Sequence, residues 1–188
     1  MILIDGLPII GRSAGTLDIN RFTSGNIKQI EIVKGASSSL YGSEAIGGVI
    51  NIITKEPSEG LNADLNYLIS SNNTNDGNLS FNYKKNKAGF SLYANSYNSD
   101  GYDLNDSDEF NTVDPFKNYT INTKALFDLS DKISLSTSGR LFNQKQDYVA
   151  SSELSGESTI DEWNISLKAD HIACLLYTSP SPRDRTRS

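Results

Sequence analysis

From Leu61 onward the chain alternates apolar and polar residues with a period of two over six long stretches. Leu61, Ala63, Leu65, Tyr67 and Ile69 share one side against Asn62, Asp64 and Asn66, with Leu68 the violation. The same texture returns in Leu79, Phe81 and Tyr83, in Phe90, Leu92 and Ala94, and from Tyr119 to Leu129, Ile133 to Leu141 and Trp163 to Ala169. Successive side chains of a strand point to opposite faces, so the pattern predicts six strands in an antiparallel meander, each greasy on one face and very polar on the other. The links alternate in length: short around Lys85-Asn86-Lys87 and Ser130-Asp131-Lys132, long at Ser71 to Gly77, Tyr97 to Asn118 and Asn143 to Thr159. Tight turns at one rim and long loops at the other are the habit of a bilayer-spanning barrel. A soluble β-sandwich, adhesin-like and binding a ligand in its loops, shares the period and is the alternative reading.

Before Pro57 the texture is different. Ile2 to Ile4 is a short apolar strand closed by the turn dipeptide Asp5-Gly6. Ile27 to Val33 alternates Ile and Val with Lys, Gln and Glu and reads as a strand with one buried face, ending at Lys34-Gly35. A small-residue connection, Ala36 to Gly48, leads to a second β-branched strand, Val49 to Lys55.

Composition removes several classes. With 17 Lys and Arg against 23 Asp and Glu, and no basic cluster, the chain is not built to neutralise phosphates, which excludes nucleic acid as partner. One Cys and one His leave no disulfide framework and no thiolate or His-built metal centre. No run approaches the roughly 18 apolar residues of a membrane helix, a test to which a β-barrel is blind. The N-terminus shows no secretory signal, so either the protein is cytoplasmic or its N-terminus is missing. Cys174 to Ser188 breaks the pattern abruptly, carries Arg183, Arg185, Arg187 and Asp184, and resembles the translation of a sequencing adapter. It is set aside as a non-native tail, which leaves a more acidic body without cysteine.

Ile27 to Pro57 resembles the last stretch of the plug domain of TonB-dependent outer-membrane receptors, and Ile2 to Ile9 resembles a strand earlier in the same plug. The motif joins the strand end at Lys34 and Gly35, the triplet Tyr41, Gly42 and Ser43, the double glycine Gly47 and Gly48, and a β-branched strand with Asn51 at its centre. Where the family commonly has Pro, this chain has Ala36. The resemblance implies a mostly β protein: residues 1–57 the C-terminal part of a plug (α+β), 58–173 the first six or so strands of an antiparallel up-and-down transmembrane β-barrel, left incomplete, and 174–188 the tail. It further implies the outer membrane of a Gram-negative bacterium, contact with its lipid, and import of a scarce extracellular ligand: an iron-siderophore, cobalamin, haem or a glycan. Energy would come from TonB, engaged through a segment that does not precede Met1. Family barrels have about 22 strands, so this chain is expected to be a fragment.

Independently of the family, Gly35, Gly42, Gly47 and Gly48 permit positive φ and close backbone approach, and Asn51 opposes Ile50 and Ile52, so that one face of its strand can meet polar groups. Asp100, Asp103, Asp106, Asp108, Glu109 and Asp114 form an acidic loop, and the carboxylates suit calcium in the 98–117 segment, although the spacing is not that of an EF-hand and a solvated loop explains it as well. Tyr97, Tyr102, Phe110 and Tyr148 are candidates to stack on a ligand or to sit in an interfacial girdle. Trp163 fits an aromatic belt. No nucleophile, base or paired carboxylate has a supporting context, so no enzyme is expected.

Overall fold

The computed structural model describes residues 1–8, 22–35, 45–104, 111–151 and 154–172. Two sheets make up the structure. The first joins four strands in the order β2-β1-β4-β3: β1 (Ile2–Ile4), β2 (Leu7–Pro8), β3 (Ile27–Lys34) and β4 (Gly48–Thr54). β1 and β2 form a hairpin whose two turn residues, Asp5 (φ 49°) and Gly6 (φ 83°), both lie in the left-handed region, the conformation that favours Asp-Gly in such a turn. β1 runs parallel to β4, and β3 antiparallel to it. Leu3, Ala45 and Val49 form a small dry core under this sheet. No α-helix occurs among the described residues; a 3-10 turn spans Ser24–Asn26.

The second sheet is the antiparallel meander expected from the alternation. Its strands are β5 (Gly60–Ser70), β6 (Thr74–Lys85), β7 (Ala88–Ser99), β8 (Phe116–Ser130), β9 (Ile133–Ser151) and β10 (Leu154–His171), each paired with its neighbour in sequence. The register carries the alternation intact across all six. Leu65, Leu79, Ala94, Ile121, Leu141 and Trp163 form one continuous apolar row, and Asn62, Asn82, Ser91, Lys124, Ser138 and Ser166 a polar row on the opposite face. A one-residue slip would exchange the faces, so an unbroken row across five ladders shows that the side-chain pattern dictates the pairing.

The two faces meet opposite surroundings. The apolar row is bare: Leu65 is 78% and Trp163 71% exposed. The polar face is covered over β7 to β9, with Thr120 1% and Arg140 7% exposed and Asn95, Asn118 and Gln144 also buried, while on β5 it is exposed. A sandwich would have put Leu65 and Phe127 into a dry interior; Phe127 is 43% exposed, and Phe81 and Leu92 are half-buried.

Two expectations about connections and burial change. The links at Ser71 to Gly77 and Asn143 to Thr159 are not long loops. β5 and β6 join across residues 71–73, where Asn72 and Asn73 adopt positive φ, and β9 and β10 lengthen to 19 and 18 residues and consume most of theirs. Polar residues that read as loop continue the ladder instead, because paired backbone groups need no apolar side chains to stay bonded. Of the connections in this sheet, that between Ser99 and Phe116 alone remains long. In the small sheet β3 forms as expected at the edge, but Ile30, Ile32 and Val33, on both its faces, are exposed rather than buried.

Candidate functional site

The first sheet lies against the covered face of the second, and the seam between them holds the structure's charged and aromatic contacts. The β1-β2 turn brings Asp5 to the end of β4. One carboxylate oxygen of Asp5 accepts from the Thr54 amide at 2.9 Å and the other from the Thr54 hydroxyl at 2.7 Å. Lys124, on the polar face of β8, donates to that second oxygen at 3.2 Å, and both charged side chains are largely buried. A single carboxylate thus joins the hairpin, β4 and β8 of the second sheet.

One strand along, Arg140 of β9 pairs with Glu162 of β10 at 2.7 Å, again almost wholly buried. Asn164 donates to the same Glu162 oxygen at 2.7 Å. The guanidinium lies 5.1 Å from the Phe22 ring of the small domain and 5.0 Å from Phe142 of its own strand, within cation-π distance of both. Gly25, in the 3-10 turn, packs on the buried Tyr93 ring of β7: a Cβ there would meet the tyrosine hydroxyl and stand 2.9 Å from Cζ. Any side chain at Gly25 would force the Tyr93 ring or the turn to shift.

Two cavities follow the seam. The first, about 290 Å³, lies between Phe22, Ile27 and Ile52 on one side and Thr120, Asn122 and Arg140 on the other. The second, about 420 Å³, runs toward the rim of the two-residue turns, past Lys84, Asp128 and Asp170.

The residues singled out in the sequence fall into three groups. Gly35 (φ 96°) and Gly48 (φ 123°) adopt the left-handed conformation, and Gly48 lies against the Val33 carbonyl, so both positions require glycine. Gly47 has open space where a Cβ would stand. Lys34 closes β3 opposite Gly48. Asn51 accepts from the Gly6 amide at 2.9 Å and donates to Glu31 at 3.2 Å, binding the small sheet together while lining the second cavity. Tyr97 stacks edge-on against Phe116 at 4.9 Å, Tyr102 bridges to Val113, and Tyr148 packs over Gly156, where no side chain competes for the space. Of the acidic loop, Asp100 accepts from Asn73 and Asp103 from Thr112, and Asp114 is half-buried. No group of three or more His, Cys, Asp or Glu that could hold a metal comes together among the described residues. Tyr41, Gly42, Ser43, Asp106, Asp108, Glu109, Phe110 and the tail 174–188 lie outside the described residues. Reading the sequence missed Asp5, Phe22, Lys124, Arg140 and Glu162. The available signal was the three charges on polar strand faces made otherwise mostly of Asn, Ser and Thr; Phe22 gave none.

A sheet that is bare on its apolar face and covered on its polar face by a separate small sheet has the organisation of a membrane β-barrel wall with its plug. Residues 1–49 match the TonB-dependent receptor plug domain family, and the chain is similar to TonB-dependent receptors. It is similar to the vitamin B12 transporter BtuB of Vibrio cholerae, at 49% identity over 59 residues, which is 31% of this chain and 10% of that protein. It spans about a tenth of the length of the curated relatives it matches. Among solved structures, the ferric enterobactin receptor PfeA of Pseudomonas aeruginosa shares the fold with a TM-score of 0.70 at 19% identity, over 92% of this chain and 30% of that one. The siderophore receptor PirA of Acinetobacter baumannii matches with a TM-score of 0.63 at 24% identity, over 78% and 24%. No helix among the described residues is long and apolar enough to cross a membrane, a statement that does not bear on crossing by strands.

Proposed function

We propose that the protein to which this chain belongs binds a scarce extracellular ligand, an iron-siderophore or cobalamin, at the outer surface of a Gram-negative bacterium and imports it into the periplasm with energy transmitted by TonB. The observation that carries this reading is the inverted sheet: an apolar row six strands wide faces outward, where only lipid would satisfy it, while buried Asn, Thr, Gln and Arg face the plug. The names of the relatives support the ligand class. Vitamin B12 appears among the sequence relatives, and siderophores, ferric enterobactin among them, in the structures of like fold. On this reading residues 1–57 act as the plug, 58–173 as wall, and the glycine motif of the plug as the part that rearranges. Tyr97, Tyr102 and Tyr148 lie toward the rim of the 100–115 link, and on this reading they meet an incoming ligand first, with Phe110 proposed to join them. Calcium in the 98–117 loop belongs to the same proposal, and luminescence of bound terbium, lost in the Asp100→Asn, Asp103→Asn double variant, is its test.

The decisive experiment is uptake by the complete reading frame, expressed in a Gram-negative host that lacks its own receptors. Labelled cobalamin and a panel of ferric siderophores are offered with and without functional TonB. TonB-dependent accumulation of one of them supports the proposal. Recovery of the protein in the soluble fraction without detergent overturns it.

A further inference from the structure

Along its polar face β7 presents Gly89, Ser91, Tyr93 and Asn95 in turn: a gap, a small side chain, a knob and an amide. The first sheet and its connection to β5 meet this face with the complementary profile. Pro57, between β4 and β5, fills the gap. Both Pro57 and Gly89 are buried, and a Cβ on Gly89 would stand 2.9 Å from the proline Cβ. The knob meets Gly25: Tyr93 is 4% exposed, and a Cβ on Gly25 would stand 2.9 Å from its Cε2 and Cζ. Neither glycine has a positive φ, so what each position requires is space rather than backbone freedom. The two fits belong to one bonded unit. The Lys55 amide donates to the Asn26 carbonyl at 3.0 Å, which ties the connection beside Pro57 to the 3-10 turn that carries Gly25. Asp5, held to Thr54, pairs with Lys124, which stands opposite Ser91. Three contacts thus fall along roughly 13 Å of strand.

We propose that Pro57-Gly89 and Gly25-Tyr93 form a two-point key that seats the plug at a single register along β7 and so keeps the lumen shut between import events. The inference rests on the membrane-barrel reading above. Side chains on one strand face repeat every second residue, so the smallest slide along β7 displaces each contact by two positions. Pro57 then leaves the only position of β7 without a Cβ, and Gly25 leaves the ring. Because Lys55 and Asn26 bond the two halves of the key together, both fits are lost at once.

The test is a set of matched substitutions in the complete receptor, scored by the susceptibility of intact cells to vancomycin, which is too large to cross an intact outer membrane. Gly25→Ala and Gly89→Ala each add one methyl group and are expected to lower the inhibitory concentration roughly fourfold or more. Tyr93→Leu, which takes the ring end out of the path of the new methyl, is expected to bring Gly25→Ala back to within about twofold of the parent. Pro57→Gly does the same for Gly89→Ala, whereas Pro57→Ala keeps the clashing Cβ and does not. Exchanged partners, Tyr93→Leu on Gly89→Ala or Pro57→Gly on Gly25→Ala, leave the defect in place. Silent glycine variants overturn the key, as does rescue by an exchanged partner or failure of the matched one. Where a glycine variant lowers insertion itself, outer-membrane recovery replaces susceptibility under the same rule. Recovery of the parent in the soluble fraction sinks the barrel reading and the key with it, whereas an inserted parent without matched rescue sinks the key alone.

Discussion

The plug sheet and the wall sheet are woven from similar material and solve opposite problems. In the plug, Leu3, Ala45 and Val49 turn inward and make a dry core, as in any water-soluble domain. In the wall, side chains of the same kind mostly turn outward, and what lies inside is Asn, Thr, Gln and a buried ion pair beside the Tyr93 and Phe142 rings. Period-two alternation specifies only that a strand has two unlike faces. Which face is hidden depends on the solvent on each side, and on the proposed reading the solvent outside the wall is lipid.

Changes on each side of this contrast should behave differently. The largest effect is expected from Glu162→Ala, which removes a carboxylate partner from the covered Arg140; loss of one partner of a buried pair costs about 4 kcal/mol, read by chemical unfolding of the complete receptor. Leu3→Ala opens a cavity in the plug core at about 3 kcal/mol. It should make the plug protease-sensitive while the wall keeps its heat-modifiable mobility, which would show that the two regions hold separate cores. Leu65→Arg tests the outer face directly: in lipid it should cost about 2 kcal/mol in vesicle refolding, whereas Asn66→Arg, one residue along on the other face, should stay within about 0.5 kcal/mol. Equal tolerance at both positions would erase the contrast. The smallest effect is expected from Phe22→Ala, which removes the plug's π contact with Arg140 at about 1 kcal/mol and should appear as faster proteolysis of the plug without loss of assembly.

Much of the wall was legible because a strand's side-chain period is local. Leu65, Phe90 and Trp163 could be assigned to one face, and Asn66, Ser91 and Glu162 to the other, from spacing alone. The Asp5-Gly6 turn was equally legible, since few dipeptides tolerate two consecutive left-handed residues. Strand ends were not. Asn75, Asn98 and Gln146 look like loop residues, yet all three sit in ladders, because backbone pairing extends as far as a neighbouring strand is present to accept it. The seam was invisible as well. Asp5 and Lys124 are 119 positions apart, and no local pattern relates them.

The order of the chain therefore determined the strands, their two faces, the hairpin turn and the family resemblance of the glycine motif, all of which follow from near-neighbour sterics and periodicity. Only the tertiary structure decided which face is covered, where Asp5 meets Lys124 and how Phe22 rests on Arg140. Those depend on how two sheets dock, and docking is settled by surfaces assembled from distant parts of the chain.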